Sequence, residues 1–231
     1  MDGVRTLWIE SCAAVVTLVD DEAVAVRWDE PSCLPPMTIG ALCGHVIASG
    51  IFEVESRVSQ RSATDKASAT LSYSGPTVAA PGPPSHGRSF TAASLHALVP
   101  IDAGNVINRA VEEAAAEQAR NGREDLLARA RSLLGTTSAR IEQIATDEVL
   151  DCWGVPLTFD EFLQTRLVEL TVHAEDLACS IGVEDSGISD DAKQLVCNIG
   201  LSAAIRRNGQ TAVLRALFRS DRHSTAALRP L

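Results

Sequence analysis

The chain has 231 residues, of which 45% are apolar and 22% are charged, values typical of a globular domain. This composition excludes a disordered tail protein and a collagen-like or coiled-coil rod. The chain carries 20 Lys and Arg residues against 30 Asp and Glu residues, a formal net charge of -10. Nucleic acid is therefore not an expected partner, because most of the surface would repel a polyanion.

The sequence contains no stretch of about 18 uncharged apolar residues, so it predicts neither a membrane span nor a secretory signal. Its six cysteines are spread singly, without the short paired spacing of a zinc ribbon. Such cysteines are typical of reduced, buried side chains in a cytoplasmic protein. We therefore expect a cytoplasmic protein that has no membrane partner.

The first part of the chain favours two helices joined by a connection. Apolar residues recur at spacings of three and four over 8–26, which predicts one amphipathic helix of about 24 residues. Three prolines within 29–37 forbid helix there. Thr38 is placed to cap a second helix that runs to about Arg61, and His45 lies on its apolar face.

A long connection follows over residues 63–100, which hold five of the ten prolines. A structureless segment of this length is typically either disordered or a functional lid. It contains His86 and His96. Loop histidines are usually exposed and idle, but either one is a candidate acid or base if the loop folds over a site.

Helical periodicity returns after the connection. Two apolar stripes over 102–144, separated by Asn121-Gly122, predict either two helices or one interrupted helix. Two shorter helices are predicted over 190–208 and 211–218. Because no long segment alternates as a strand does, the predicted fold class is all-α.

A further helix is predicted between these regions, over residues 159–181. Thr158 and Glu161 have the spacing of a capping box, in which the hydroxyl and the carboxylate each accept from a backbone N–H at the helix start. Gly182 provides the matching C-terminal stop.

Three polar side chains share the apolar face of this helix. With His173 at zero on a wheel of about 100° per residue, Arg166 falls at about +20° and Glu169 at about -40°. A buried charge must be paired or bound to a metal. Glu169 and His173 are one turn apart and can reach one cation together, and His45 is the histidine that a helical pattern places on an apolar face elsewhere.

A set of His45, Glu169 and His173 suits zinc with a fourth position left open, which is the arrangement of a catalytic site. Two alternatives stay open on spacing alone. His45 can be a core histidine with its hydrogen bonds satisfied, and Glu169 can simply pair with Arg166 or with His173.

Two segments of the chain look like the signatures of one known family. The first is Trp28 to His45, W-D-E-P-S-C-L-P-P-M-T-I-G-A-L-C-G-H, and the second is Arg166 to Gly182, R-L-V-E-L-T-V-H-A-E-D-L-A-C-S-I-G. They resemble the mycothiol-dependent maleylpyruvate isomerase family within the wider DinB-like metalloenzymes. Trp153-Gly154 and the late A-V-L-R-A-L of residues 212–217 are similar too.

The resemblance implies an antiparallel four-helix bundle of the DinB-like type over residues 1–184, with the long loop at 63–100. A short helical C-terminal extension over 185–231 would follow it, whereas the full isomerases carry a larger C-terminal domain. The resemblance also implies a divalent metal, usually zinc, bound by the set already considered: His45, Glu169 and His173.

The activity implied by the resemblance uses mycothiol, a low-molecular-weight thiol, as cosubstrate. The sequence therefore predicts a zinc-dependent S-transferase or isomerase that acts on a small electrophile, as a monomer or homodimer. Arg166 is a candidate catalytic residue that binds a substrate carboxylate, or it pairs with Glu169 or Glu161 on the helix surface. Asp176 is a candidate acceptor for a ligand imidazole, or it is simply solvated.

Two positions depart from the family pattern. Met37 stands where a tryptophan is common, and Ala41 lies near a position that is commonly acidic. Both lie beside the helix of His45, so the identity of the electrophile does not follow from the resemblance. The alternative functions are a metal-dependent hydrolase, in which the open position holds hydroxide, and a non-catalytic helical binding protein.

Overall fold

A computed structural model describes residues 3–63, 91–98, 106–152, 154–219 and 228. These residues are mostly helical and contain one small antiparallel sheet, which confirms the predicted dominance of helix. In chain order the elements are α1 (Val4–Val19), α2 (Glu22–Val26), α3 (Ile39–Ile47), a π-helical segment (Ala48–Phe52), α4 (Glu53–Ala63), α5 (Ala92–His96), α6 (Val106–Ala119), α7 (Arg123–Ile141), β1 (Val149–Cys152), β2 (Val155–Thr158), α8 (Phe159–Ile181), α9 (Asp190–Asn208) and α10 (Gln210–Phe218).

The prediction of a single N-terminal helix of about 24 residues is wrong, because the structure divides it into α1 and α2. The Asp21 carboxylate accepts a hydrogen bond from the backbone N–H of Ala23 at 2.8 Å and caps α2. This local bond favours a new helix start over continuation of α1. The apolar stripe also ends early, since Val26 is 76% exposed.

The helix that carries His45 begins as predicted, with the N–H of Ala41 donating to the Thr38 hydroxyl at 3.1 Å. The segment Ile39–Gln60 is apolar and long enough to cross a membrane by length and composition, but 83% of its apolar window is buried inside the fold. Core helices of globular proteins share these properties, so the segment is weak evidence for a membrane span.

A π-helical segment interrupts this helix directly after α3 and widens the backbone at Ala48–Phe52. Two carbonyl groups in the widened turn accept hydrogen bonds from side chains of other helices. Trp8 Nε1 donates to the Gly50 carbonyl at 3.0 Å, and Arg166 Nη1 donates to the Ser49 carbonyl at 3.2 Å. Segments of this kind are frequent at functional sites.

Two glycines bring the helix of His45 close to its neighbours. A Cβ atom on Gly44 would collide with the backbone oxygen of Ala115 in α6, and one on Gly50 would collide with the side chain of Leu170 in α8. The absence of a side chain therefore permits α3 to pack between α6 and α8. This approach places His45 within reach of the inward face of α8, which carries Glu169 and His173.

The start of α8 confirms half of the predicted capping box. The Thr158 hydroxyl accepts from the N–H of Glu161 at 3.2 Å, as predicted. The Glu161 carboxylate instead accepts from the N–H of Ala92 at 2.6 Å. Glu161 therefore holds the start of α5, and this helix lies inside the 63–100 segment for which the sequence predicts a structureless connection.

The structure also contains a β-hairpin that the sequence did not predict. Strands β1 and β2 pair antiparallel with Val149 opposite Thr158, and Val155 and Leu157 on β2 are buried. Four residues per strand are too few for a clear alternating pattern.

Gly122, with a φ of 89°, separates α6 from α7, so the predicted stripes over 102–144 are two helices.

The C-terminal predictions are confirmed for the described residues. Gly182 ends α8 with a φ of 78°, and its N–H donates to the Ala178 carbonyl at 2.9 Å. Helices α9 and α10 follow within two residues of their predicted bounds. Helix α9 packs against α1, α5 and α8.

The prediction that the cysteines are buried is wrong for three of them, which are exposed: Cys33, Cys179 and Cys197.

Candidate metal centre

The structure brings together the three residues that the sequence singled out as ligands. One potential ligand atom from each of His45, Glu169 and His173 lies within 4.8 Å of the other two. Nε2 of each imidazole is 3.5 Å from the same oxygen, Oε2 of Glu169. The two rings meet edge to face, with centroids 4.5 Å apart. Two nitrogen donors and one oxygen donor therefore converge from α3 and α8.

This cluster is partly open to solvent. The His45 side chain is nearly buried, whereas about a fifth of the Glu169 and His173 side chains remains accessible. Helix periodicity accounts for the shared orientation of Glu169 and His173, which are one turn apart on α8. The cluster is therefore not sealed within the core.

Asp176 orients one of the two imidazoles. Nδ1 of His173 lies 2.9 Å from Oδ2 of Asp176. A carboxylate accepts a hydrogen bond, so the proton of the neutral ring belongs on Nδ1 and the lone pair of Nε2 faces Glu169. Metal-binding histidines have this kind of partner, which fixes the tautomer and the ring orientation. The structure thus favours the predicted acceptor role of Asp176 over simple solvation.

Hydrogen bonds within the cluster shift the pKa values of Glu169 and His173 in the directions that favour an ionised carboxylate and a protonated imidazole. Burial by itself would raise the pKa of Glu169, but hydrogen bonds from His173 and His45 outweigh it and hold the pKa well below its usual range. Burial would likewise lower the pKa of His173, but bonds to Asp176 and Glu169 raise it to about 9. Burial lowers the pKa of His45.

The residues fit a divalent cation on these observations. Without a metal, the Glu169 carboxylate is ionised and is balanced by a proton on His173. A cation bound between the two side chains would replace that proton. The donor set of two imidazoles and one carboxylate matches zinc sites that keep a position for water or substrate.

Arg166 lies beside the cluster but is engaged by the fold. Besides its bond to Ser49, its Nε donates to the Thr165 hydroxyl at 3.0 Å, and its guanidinium lies 5.8 Å from the centre of the Phe162 ring. The side chain is buried. Its positive charge helps to lower the pKa of Glu169. A contact with a substrate carboxylate stays a prediction for Arg166.

His96 is not the loop histidine that the sequence predicts, because the structure buries it on α5 with 4% of its surface exposed. Neither ring nitrogen has a hydrogen-bond partner in the part of the chain that the structure describes. Burial lowers the pKa of His96 to about 4; the Glu169 carboxylate opposes this shift and the Arg166 guanidinium adds to it.

The signal for α5 was available in the sequence. Thr91 precedes A-A-S-L-H, and its hydroxyl caps the helix by accepting from the N–H of Ser94 at 3.2 Å. Such a residue before a short apolar run is a helix-start pattern. His86, the other histidine of the predicted loop, lies outside the described residues.

Comparison with known proteins gives one family. A family model described as the mycothiol maleylpyruvate isomerase N-terminal domain matches residues 6–178, which include all three residues of the cluster. Trp153, one of the residues that carry the resemblance, lies outside the described residues. No match was found among curated proteins or among solved structures.

Proposed function

This chain belongs to the mycothiol maleylpyruvate isomerase N-terminal domain family, and from that premise we propose that it is a metal-dependent enzyme that uses mycothiol. Its reaction is the isomerisation of a small electrophile or the transfer of the thiol sulfur to it. The observation that carries this proposal is the convergence of His45, Glu169 and His173 with one side open to solvent.

The proposed ligands are the two imidazoles and the Glu169 carboxylate. A zinc ion held there would supply the Lewis acidity that converts a coordinated thiol into a thiolate at neutral pH. Glu169 contributes one negative charge against the two positive charges of the ion, so one anionic ligand would neutralise the assembly. A neutral assembly is the least costly to keep in a partly buried site.

The chain's own residues orient this chemistry. Asp176 keeps a proton on Nδ1 of His173 and so leaves Nε2 available as a donor. Arg166, held against the π-helical segment, keeps a fixed positive charge near Glu169. We propose that this charge attracts an anionic group of the substrate towards the open side of the cluster.

Isomerase and S-transferase activities require the same site. A sulfur nucleophile that adds to an activated double bond permits rotation before it is eliminated, which is an isomerisation. The same nucleophile that displaces a leaving group completes an S-transfer. The hydrophobic surroundings of His45 exclude bulk water from one side of the cluster in either case.

We extend the proposal to the architecture and setting of the protein. Helix α1 packs against α7 and α8, and α3 packs against α6 and α8, which is compatible with a four-helix bundle over residues 1–184. We propose a helical extension over 185–231, a cytoplasmic location, and a monomer or homodimer without nucleic acid or membrane partners.

The proposal is tested by metal analysis followed by thiol titration. The purified protein is expected to contain about one divalent metal ion per chain, and His45→Ala is expected to lose it. Adding mycothiol to the cobalt-substituted protein should then change its visible spectrum, because sulfur coordination to cobalt absorbs there.

The other outcomes identify the alternative functions. Metal binding without a spectral response to mycothiol would favour the hydrolase. An absence of stoichiometric metal, with His45→Ala unchanged in melting temperature, would favour a non-catalytic binding protein.

A further inference from the structure

We propose that His96 is a binding residue for the thiol cosubstrate, and that its imidazole donates a hydrogen bond to the thiolate sulfur held beside Glu169. This inference rests on the proposed function and adds a residue from α5 to a site otherwise built from α3 and α8. No motif of the family resemblance includes His96.

The first observation is that His96 has unused hydrogen-bonding capacity in a buried position. The side chain is 4% exposed, and neither Nδ1 nor Nε2 has a partner among the described residues. Leaving buried polar atoms unpaired destabilises a fold. By contrast, both His45 and His173 have carboxylate partners. A ligand that completes the hydrogen bonds of His96 accounts for its presence in this position.

The second observation is that α5 is fixed in place by contacts from two neighbouring helices. Glu161 of α8 accepts from the Ala92 N–H at the start of α5. Arg207 of α9 donates from Nη2 to the carbonyl groups of His96 and Ala97 at 3.1 and 3.0 Å. The backbone of α5 is therefore held at both its start and its end, so the backbone position of His96 is set before any ligand binds.

The third observation concerns the charged groups that act on the His96 imidazole. Two charged groups that shift the pKa of this ring are Glu169 and Arg166. Both lie on the inward face of α8, the face that carries the candidate ligands. Because α5 also packs against α8, we place the imidazole near the position at which a thiol sulfur would arrive.

The chemistry of a neutral imidazole suits this role. It offers one N–H donor and one acceptor nitrogen, and a thiolate accepts hydrogen bonds. A neutral donor stabilises the sulfur anion without adding a second fixed cation beside Arg166. No bond is broken in this contact, and no proton leaves His96.

The test compares thiol binding by three cobalt-substituted variants with the wild type. His96→Leu removes both nitrogens at similar volume, and His96→Gln retains a donor and an acceptor. Thr171→Val is the matched control, because Thr171 is also buried with an unpaired hydroxyl in the described structure but lies about 160° from His173 around α8. Mycothiol is the titrant, and absorbance from sulfur coordination is the readout.

We expect His96→Leu to keep full cobalt content and to weaken mycothiol binding by about ten-fold or more, as is typical for loss of a hydrogen bond to a charged group. His96→Gln should stay within about three-fold of the wild type, and Thr171→Val should be unchanged. The metal-free His96→Leu protein should melt at or above the wild-type temperature, because it loses unpaired polar atoms.

Wild-type affinity in His96→Leu would overturn the inference while leaving the proposed function intact. A lower melting temperature with unchanged thiol affinity would also overturn it and would assign His96 a structural role. If the wild-type cobalt protein itself does not bind mycothiol, the proposed function fails, and the inference fails with it.

Discussion

Helices α8 and α5 each contribute a histidine to the same region of the protein, but the hydrogen bonding of the two imidazoles differs. On α8, His173 is paired with Asp176 at 2.9 Å and lies 3.5 Å from Glu169. On α5, His96 is buried with neither ring nitrogen paired among the described residues. We propose that the first arrangement forms a cation site within the protein and that the second leaves a hydrogen-bonding group for a ligand.

The largest expected effect comes from removing the charge of the α8 cluster. Glu169→Gln keeps the shape of the side chain but leaves the cation with neutral donors only, so we expect metal affinity to fall by more than about a hundred-fold, in line with the 3 to 5 kcal/mol typical of breaking a buried charge pair. Isothermal titration with zinc measures this change.

The matched control for this variant is Glu175→Gln. Glu175 is also on α8 but bonds to Ser186 and Lys193 away from the cluster. Zinc affinity should be unchanged in this protein. Equal affinity losses in the two variants would contradict a specific role for Glu169.

The second prediction concerns the pH dependence that His96 imposes on stability. Its pKa of about 4 in the folded protein lies below the ordinary value of 6.5, so the unfolded chain binds more protons between these values. The free energy of unfolding should therefore fall as pH decreases from 6.5 to 4, by about 3 kcal/mol from this residue.

Urea unfolding of the metal-free wild type and of His96→Leu across this pH range isolates that contribution. The variant should lack this part of the pH dependence, although other titrating groups remain in both proteins. If the free energies of unfolding of the two proteins change equally with pH, His96 is not buried as a neutral imidazole.

The third prediction tests the close helix packing that brings the α3 and α8 residues together. Gly44→Ala places a methyl group against the backbone oxygen of Ala115, where only backbone movement can relieve the contact. We expect a loss of about 1 to 3 kcal/mol in the free energy of unfolding. Gly135→Ala in α7, where a Cβ meets no atom within 4 Å, should not destabilise the protein.

The smallest expected effect follows from weakening the support of His173. Asp176→Asn removes the charged acceptor on Nδ1 but keeps a carbonyl oxygen that can accept a hydrogen bond, so metal affinity should fall by about ten-fold, the lower end of the effect typical of losing such a partner. The pKa of His173 in the metal-free protein should also move down from about 9, which NMR titration of the ring protons would detect. An unchanged His173 titration would contradict the assigned hydrogen bond.

Helices α8 and α5 also differ in how much of each could be predicted from the sequence. The limits of α8 follow from local signals, since Thr158 caps its start and Gly182 ends it. The ligand pair Glu169 and His173 follows from helical spacing alone. His45 is singled out as the histidine that a helical pattern places on an apolar face elsewhere, and the family resemblance implies the same residue. No local pattern reports which helices lie side by side, so spacing alone leaves its place in the cluster open.

Most of the incorrect predictions depend on contacts between residues far apart in the chain. Glu161 fits a local capping box, but its carboxylate bonds to Ala92 instead. The burial of His96 depends on α5 packing against α8 and α9, which a Pro-rich neighbourhood does not suggest. The break after α1 is a different case, because Asp21 is a local signal for a helix start that competes with apolar periodicity continuing across it.

A crystal structure of the zinc-loaded protein, with anomalous diffraction at the zinc edge, measures the decisive feature directly. One peak per chain should lie at about 2.0 to 2.2 Å from a ring nitrogen of His45, a ring nitrogen of His173 and a carboxylate oxygen of Glu169. A zinc peak elsewhere in the chain, or none between these three side chains, would contradict the assignment of a metal centre to this protein.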